Sequence, residues 1–234
     1  AGRILLRATF FKKTFSKMSQ VNLCAEIYFI LSHINKAINC IVSVSLKNYL
    51  RKKVSTKEEF AAGRKLYYAT FSKFFVFSED EKRFDGLSKM LDLIEEYSLN
   101  DEVSRAVANI KSKFNEKNPE NLITEFDDIF HTPPSPLRNS LSFYDEGYEV
   151  GHACADVRKI LAKTNIRRDE SKFKENEDNV GFVFTLMNEF IGKFDECEEE
   201  LFKNIINPNI DEFIENLYEH KNSEIYKDVA VLLN

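Results

Sequence analysis

From Ser55 onward, apolar residues recur at three- and four-residue spacing in one window after another, and no window alternates at period two for long enough to demand a strand. Phe60, Arg64, Tyr67, Phe71 and Phe74 predict a first helix over about 57–77, with Ser55 or Thr56 and the glutamates three residues later, Glu58 or Glu59, as a capping box. Phe84, Leu87, Leu91 and Ile94 form a second stripe, and Asn100 or Asp101 then stands where a third helix, carrying Val103, Val107, Ile110 and Phe114, needs an N-cap. Pro119 suits the first turn of a fourth helix with Leu122, Phe126, Ile129 and Phe130 on its face.

Three of the five prolines, Pro133, Pro134 and Pro136, follow that stripe directly. They fix φ and cannot donate a backbone hydrogen bond, so the chain is expected to leave the helix abruptly and to stay irregular beside an apolar surface. Val157, Ile160 and Leu161 mark a helix of about 150–163, and the polar run KTNIRRDESKFKENEDN reads as a long loop. The strongest stripe follows: Val180, Val183, Phe184, Met187, Phe190, Ile191 and Phe194, continuing to about 206. Asp178 or Asn179 is its natural N-cap. Pro208 is expected to separate it from a helix with Ile210, Phe213, Ile214 and Leu217, and Ile225, Tyr226, Val229 and Leu232 or Leu233 mark the last. These stripes predict an all-α fold, a single globular bundle of about eight or nine helices over 55–234.

Composition sharpens this picture in two ways. With 21 Phe, nine Tyr and no Trp, the interior must be packed by rings that mostly carry no polar handle. Charge divides near Val54: residues 1–54 hold ten Lys/Arg and one acid, Glu26, whereas residues 55–234 hold 23 basic and 37 acidic residues. The acidic part lacks the basic face that phosphate contacts require, which argues against nucleic acid and favours a basic peptide as partner. Residues 1–54 are read as an N-terminal extension of one or two helices, with an organelle-targeting peptide as the alternative. Glu26, His33, Asn35, Lys36 and Asn39 interrupt its apolar run, so stable membrane insertion is not expected.

Searches for chemistry return little. Seven glycines form neither GxGxxG nor a P-loop, and the four histidines are scattered, with no HExxH. No serine sits in a nucleophile elbow. Cys24, Cys40, Cys154 and Cys197 lack metal-ligand spacing, so no metal site and no disulfide framework is expected, and reduced thiols suit a cytoplasmic protein. No catalytic residue is assigned.

Several segments resemble, in order, the TorD/DmsD/NarJ-type family of chaperones dedicated to molybdoenzymes. AGRKLYYATFSKFF is similar to that family's opening helix, and EFDDIFHTPPSPLRNSLSFYDEG to its aromatic element, Pro-rich turn and Ser-x-Tyr run closed by acids. NEDNVGFVFTLMNEFI resembles its Glu-Pro-Asp-His loop and following helix, and NIDEFIENLYEHKNSEIYKDVAVLL its two closing helices. The resemblance covers about 58–234. It implies a non-enzymatic protein that binds the twin-arginine signal peptide and the apo form of a molybdenum- or tungsten-cofactor oxidoreductase, with formate dehydrogenase among the clients. The peptide-binding residues it implies are Phe126, Ile129, Phe130, Pro136, Ser140, Ser142, Tyr144, Asp145, Glu177 and Asp178, with Asp127 and Asp128 as further acceptors for the basic end of the peptide. Asn179 replaces the family's His, and no proline accompanies Glu177 and Asp178. No cofactor is expected beyond GTP, which the resemblance alone implies. A monomer and a helix-swapped homodimer are both compatible with the long loop at 164–179. A helical adaptor without a redox client and a GTP-hydrolysing enzyme are the alternatives.

Overall fold

The apolar stripes converge on Phe75. Its ring meets those of Phe184, Phe213, Tyr226 and Phe130, from four other helices, at centroid distances between 5.5 and 6.2 Å. Tilted and edge-to-face pairs of this kind contribute about 0.5–1.5 kcal/mol each beyond the area they bury. The Phe-rich composition therefore finds its use in one shared aromatic core.

The structure, a computed structural model, describes residues 57–77, 81–134, 136–171 and 173–234. The basic extension expected over 1–54 and the capping box at Ser55 or Thr56 lie outside the described residues. Helix α1 covers 57–75. After a short 3-10 turn, Glu81–Phe84, come α2 (Leu87–Glu96), α3 (Asp101–Lys113), α4 (Glu120–Phe130), α5 (Leu141–Glu146) and α6 (His152–Ala162). They are followed by α7 (Val180–Phe190), α8 (Asp195–Leu201), α9 (Asn207–Glu219) and α10 (Ile225–Leu233). The described residues form a single helical domain without a strand, as the periodicity predicts. Residues 59–234 cluster as one unit.

Local chemistry explains where several helices begin. Asn100 Oδ1 accepts the Val103 N–H at 2.8 Å and caps α3, whose first turn carries Asp101 and Glu102 and whose last turn carries Lys111 and Lys113, in keeping with the helix dipole. Asn179 caps α7 through Gly181 N–H at 2.8 Å and Phe182 N–H at 3.4 Å. Helix α7 is apolar on nearly every face and is buried accordingly, with Val180, Val183 and Phe190 fully enclosed. Gly181 lets it approach α1: a Cβ there would lie 2.4 Å from the backbone carbonyl carbon and oxygen of Phe75.

Two boundaries differ from expectation. The strongest stripe does not run on to about 206, because Gly192, at φ 71°, turns the chain between α7 and α8. Pro208 does not separate helices. A π-helical segment, Phe202–Ile206, leads directly into α9, and Pro208 lies in that helix's first turn, where proline is tolerated. The segment after the prolines also turns helical sooner than expected, as α5, ended by Gly147 at φ 80°. Helix α5 packs on α6 and α9, which brings the 136–146 segment against the 175–179 loop.

Candidate functional site

The centre of the implied binding surface is a seam between two loops. Ser140 and Asn179 form an antiparallel bridge, with Leu141 N–H donating to the Asp178 carbonyl at 2.9 Å and Val180 N–H to that of Asn139 at 2.8 Å. Within this frame Asp178 is fully buried. Its Oδ2 accepts the Ser140 hydroxyl at 2.5 Å and the Ser142 N–H at 3.2 Å. The Ser142 hydroxyl in turn accepts the Cys154 N–H at 3.1 Å, reaching the first turn of α6. Ser140, Ser142 and Asp178 are therefore brought together, as a buried knot that closes the seam.

Glu177 sits at the edge of that knot, 9% exposed. Arg158, from α6, approaches its Oε2 through Nε at 2.9 Å and Nη2 at 2.8 Å, and Arg168 Nε lies 3.4 Å from Oε1. Burial by itself would raise the Glu177 carboxyl, but the Arg158 hydrogen bond and the two guanidinium charges outweigh it and hold the group below the usual carboxylate range. Arg168 is anchored further by the Glu175 carbonyl and by Glu170. The neighbouring Glu175 takes a hydrogen bond from the Asn139 amide at 3.2 Å, and burial pushes its carboxyl up. Burial, reinforced by the Asp178 charge, also raises the Cys154 thiol, which leaves it unreactive.

The remaining implied residues are placed differently. Phe126, Ile129 and Phe130 face the core: Phe126 packs on Phe130 at 4.8 Å, and both rings meet Tyr226. They share that core with Leu141 and Val180 of the seam, and Leu137 N–H donates to the Ile129 carbonyl at 2.8 Å. Pro136 is half-buried. So is Tyr144, whose hydroxyl donates to the Arg138 carbonyl at 2.7 Å while its ring packs edge-on against Phe213. Asp127 pairs with His131 at 2.9 Å, and Asp128 is exposed on the same helix. Asp145 is exposed, and with Glu146 and His152 it brings ligand atoms within 4.8 Å of one another, a grouping the sequence search did not single out. Glu146 there already accepts the Tyr148 hydroxyl at 2.7 Å and the His152 N–H at 2.5 Å.

Arg158, Arg168 and Cys154 are the members of the site that sequence reasoning missed. For Arg168 the available signal was the mixed charge of IRRDESKFKENED, which indicates internal ion pairing without naming the partners; Cys154 and Arg158 lie outside that run.

The described residues thus form a helical domain in which two loops, joined by the Ser140–Asn179 bridge, hold a buried polar seam with Glu177 and its two arginines at the edge. The sequence profile of the nitrate reductase delta subunit family matches residues 96–221, a span that includes every residue of the seam. The chain belongs to that family, the TorD/DmsD/NarJ-type redox-enzyme maturation chaperones that its motifs resemble. A solved structure from Archaeoglobus fulgidus, assigned to redox enzyme maturation, is similar over 71% of this chain and 88% of its own, at 18% identity and a TM-score of 0.47. Among curated proteins none matches the chain. No helix among the described residues is long and apolar enough to cross a membrane.

Proposed function

We propose that the chain binds, in the cytoplasm, the twin-arginine signal peptide and the apo form of a molybdenum- or tungsten-cofactor oxidoreductase, and holds them until the cofactor is inserted. It does so without catalysis of its own, and residues 55–234 are the chaperone domain that carries the activity. The observation that supports this reading most is Glu177. Both of its oxygens face guanidinium groups, so the lip of the seam is chemically suited to arginine side chains, which a twin-arginine leader supplies as a pair. Pro136 and Tyr144, both half-buried, offer apolar surface for the stretch that follows the arginines in such a leader. Phe126, Ile129 and Phe130 act indirectly in this reading, by supporting the Pro-rich segment through the core.

The test is calorimetric titration of the full chain with synthetic twin-arginine leader peptides. Binding at a micromolar Kd or tighter, about −8 kcal/mol, is expected. Replacing the leader's two arginines with lysines, or Glu177 with Gln, should weaken it. No binding to any leader by a folded sample would overturn the reading.

A further inference from the structure

Glu177 is already occupied in the free protein, and its two occupants are held very differently. The Arg168 side chain is 16% exposed and is anchored by the Glu175 carbonyl and Glu170 as well as by Glu177. The Arg158 side chain is 50% exposed, stands on the surface of α6, and directs its hydrogen bonds among the described residues to Glu177 alone. It meets Glu177 Oε2 with two nitrogens, at 2.9 and 2.8 Å, so this oxygen already carries the charge-assisted contact that an arginine ligand would make.

We infer that Arg158 is a built-in stand-in for the ligand's arginine, a contact that keeps Glu177 compensated in the empty protein and that a bound peptide must displace. This rests on the proposed peptide-binding reading and adds a regulatory element to it. The physical reason is that a largely buried carboxylate left without a partner is costly, whereas a half-exposed arginine pair is weak enough to exchange. Arg168, 3.4 Å from Oε1, keeps one positive charge beside Glu177 during the exchange, while Oε2 passes from the Arg158 donors to those of the ligand. Arg158 therefore lowers affinity for any cationic ligand and sets a threshold that a peptide presenting one well-placed guanidinium can pass.

Calorimetry of the full chain at fixed salt, with a synthetic peptide of two arginines followed by an apolar stretch, tests this. Arg158→Ala should bind about two- to fivefold more tightly than the native chain, the gain expected when a half-exposed ion pair no longer competes. Because that change also makes the protein more acidic, Lys159→Ala, which removes a charge at the neighbouring position of α6, is the matched control and should bind like the native chain. Thermal melts establish that both variants are folded, which Arg168 should secure for Glu177. Unchanged or weaker binding by Arg158→Ala, or an equal gain in Lys159→Ala, would overturn the stand-in while leaving the peptide-binding reading intact. Failure of the native chain and of Arg158→Ala alike to bind would overturn both.

Discussion

The Glu125 carboxylate accepts the backbone N–H of Tyr226 at 2.8 Å, and with it those of Glu224 at 2.7 Å and Ile225 at 2.9 Å. A side chain on α4 thus caps α10, whose own Glu224 provides no side-chain cap. The first N–H groups of a helix have no partner within it and carry the positive end of its dipole, so an anion from elsewhere in the fold satisfies both needs.

Glu125→Ala should therefore cost about 1–2 kcal/mol, the range for loss of a good N-cap. Urea denaturation followed by circular dichroism measures it. A loss within error of zero would mean that solvent satisfies the α10 terminus equally well.

Gly181→Ala should destabilise the protein even though it improves intrinsic helix propensity by about 1 kcal/mol. The new Cβ would meet the Phe75 backbone at 2.4 Å, and backbone cannot swing aside as a flexible side chain would. Overpacking of this kind costs about 1–3 kcal/mol or more, so a net loss is expected. Gly63→Ala in α1, where nothing lies within 4 Å, should instead raise the melting temperature. Equal responses at the two positions would contradict the steric argument.

Asp178→Ala removes the acceptor of the Ser140 hydroxyl and the Ser142 N–H inside a buried seam, and should cost about 2–4 kcal/mol. Ser140→Ala should cost less, since Asp178 then keeps its backbone donor. A double-mutant cycle between the two should return a coupling of about 0.5–3 kcal/mol, and additivity would show that the seam is not a unit.

Glu116 supplies a pH dependence. Its carboxylate accepts the Gly86 N–H at 3.0 Å and the Ser88 N–H at 2.9 Å at the start of α2, and these bonds hold its titration below the ordinary value of 4.5. A carboxyl lowered in the folded state adds stability that is complete above that ordinary value and is lost as pH falls through the folded one. The native chain should accordingly exceed Glu116→Gln in stability at neutral pH, with the gap closing in acid. A gap that stays constant from neutral pH into the acid range would contradict this.

Much of the molecule is legible from its periodicity. The stripes of Leu87, Leu91 and Ile94, of Val103, Val107 and Ile110, and of Val180, Val183 and Phe184 are helical and buried as expected. Asn100 and Asn179 cap the helices that follow them. Both signals are local, since a cap needs three residues and a stripe needs a few turns. Legibility falls where a signal has two outcomes. Pro208 reads equally as a break or as a first-turn residue, and only the packing of the π-helical segment and α9 selects the second.

The candidate site divides along the same line. Its loops and acidic residues stand out in the sequence because prolines, serines and adjacent acids are unusual beside an apolar stripe. Which acid is buried and which faces an arginine is set by residues far apart in the chain: Ser140 lies 38 positions from Asp178, and Arg158 lies 19 from Glu177. By itself the sequence determined the helical class of the described domain, its principal stripes and, to within one residue, two of its caps, because hydrogen bonding and side-chain periodicity within a helix depend on near neighbours alone. Only the tertiary structure decided that Asp178 ties two loops together, that Glu177 holds two arginines and that Glu125 caps a distant helix, because desolvation and charge pairing depend on what surrounds a group in space.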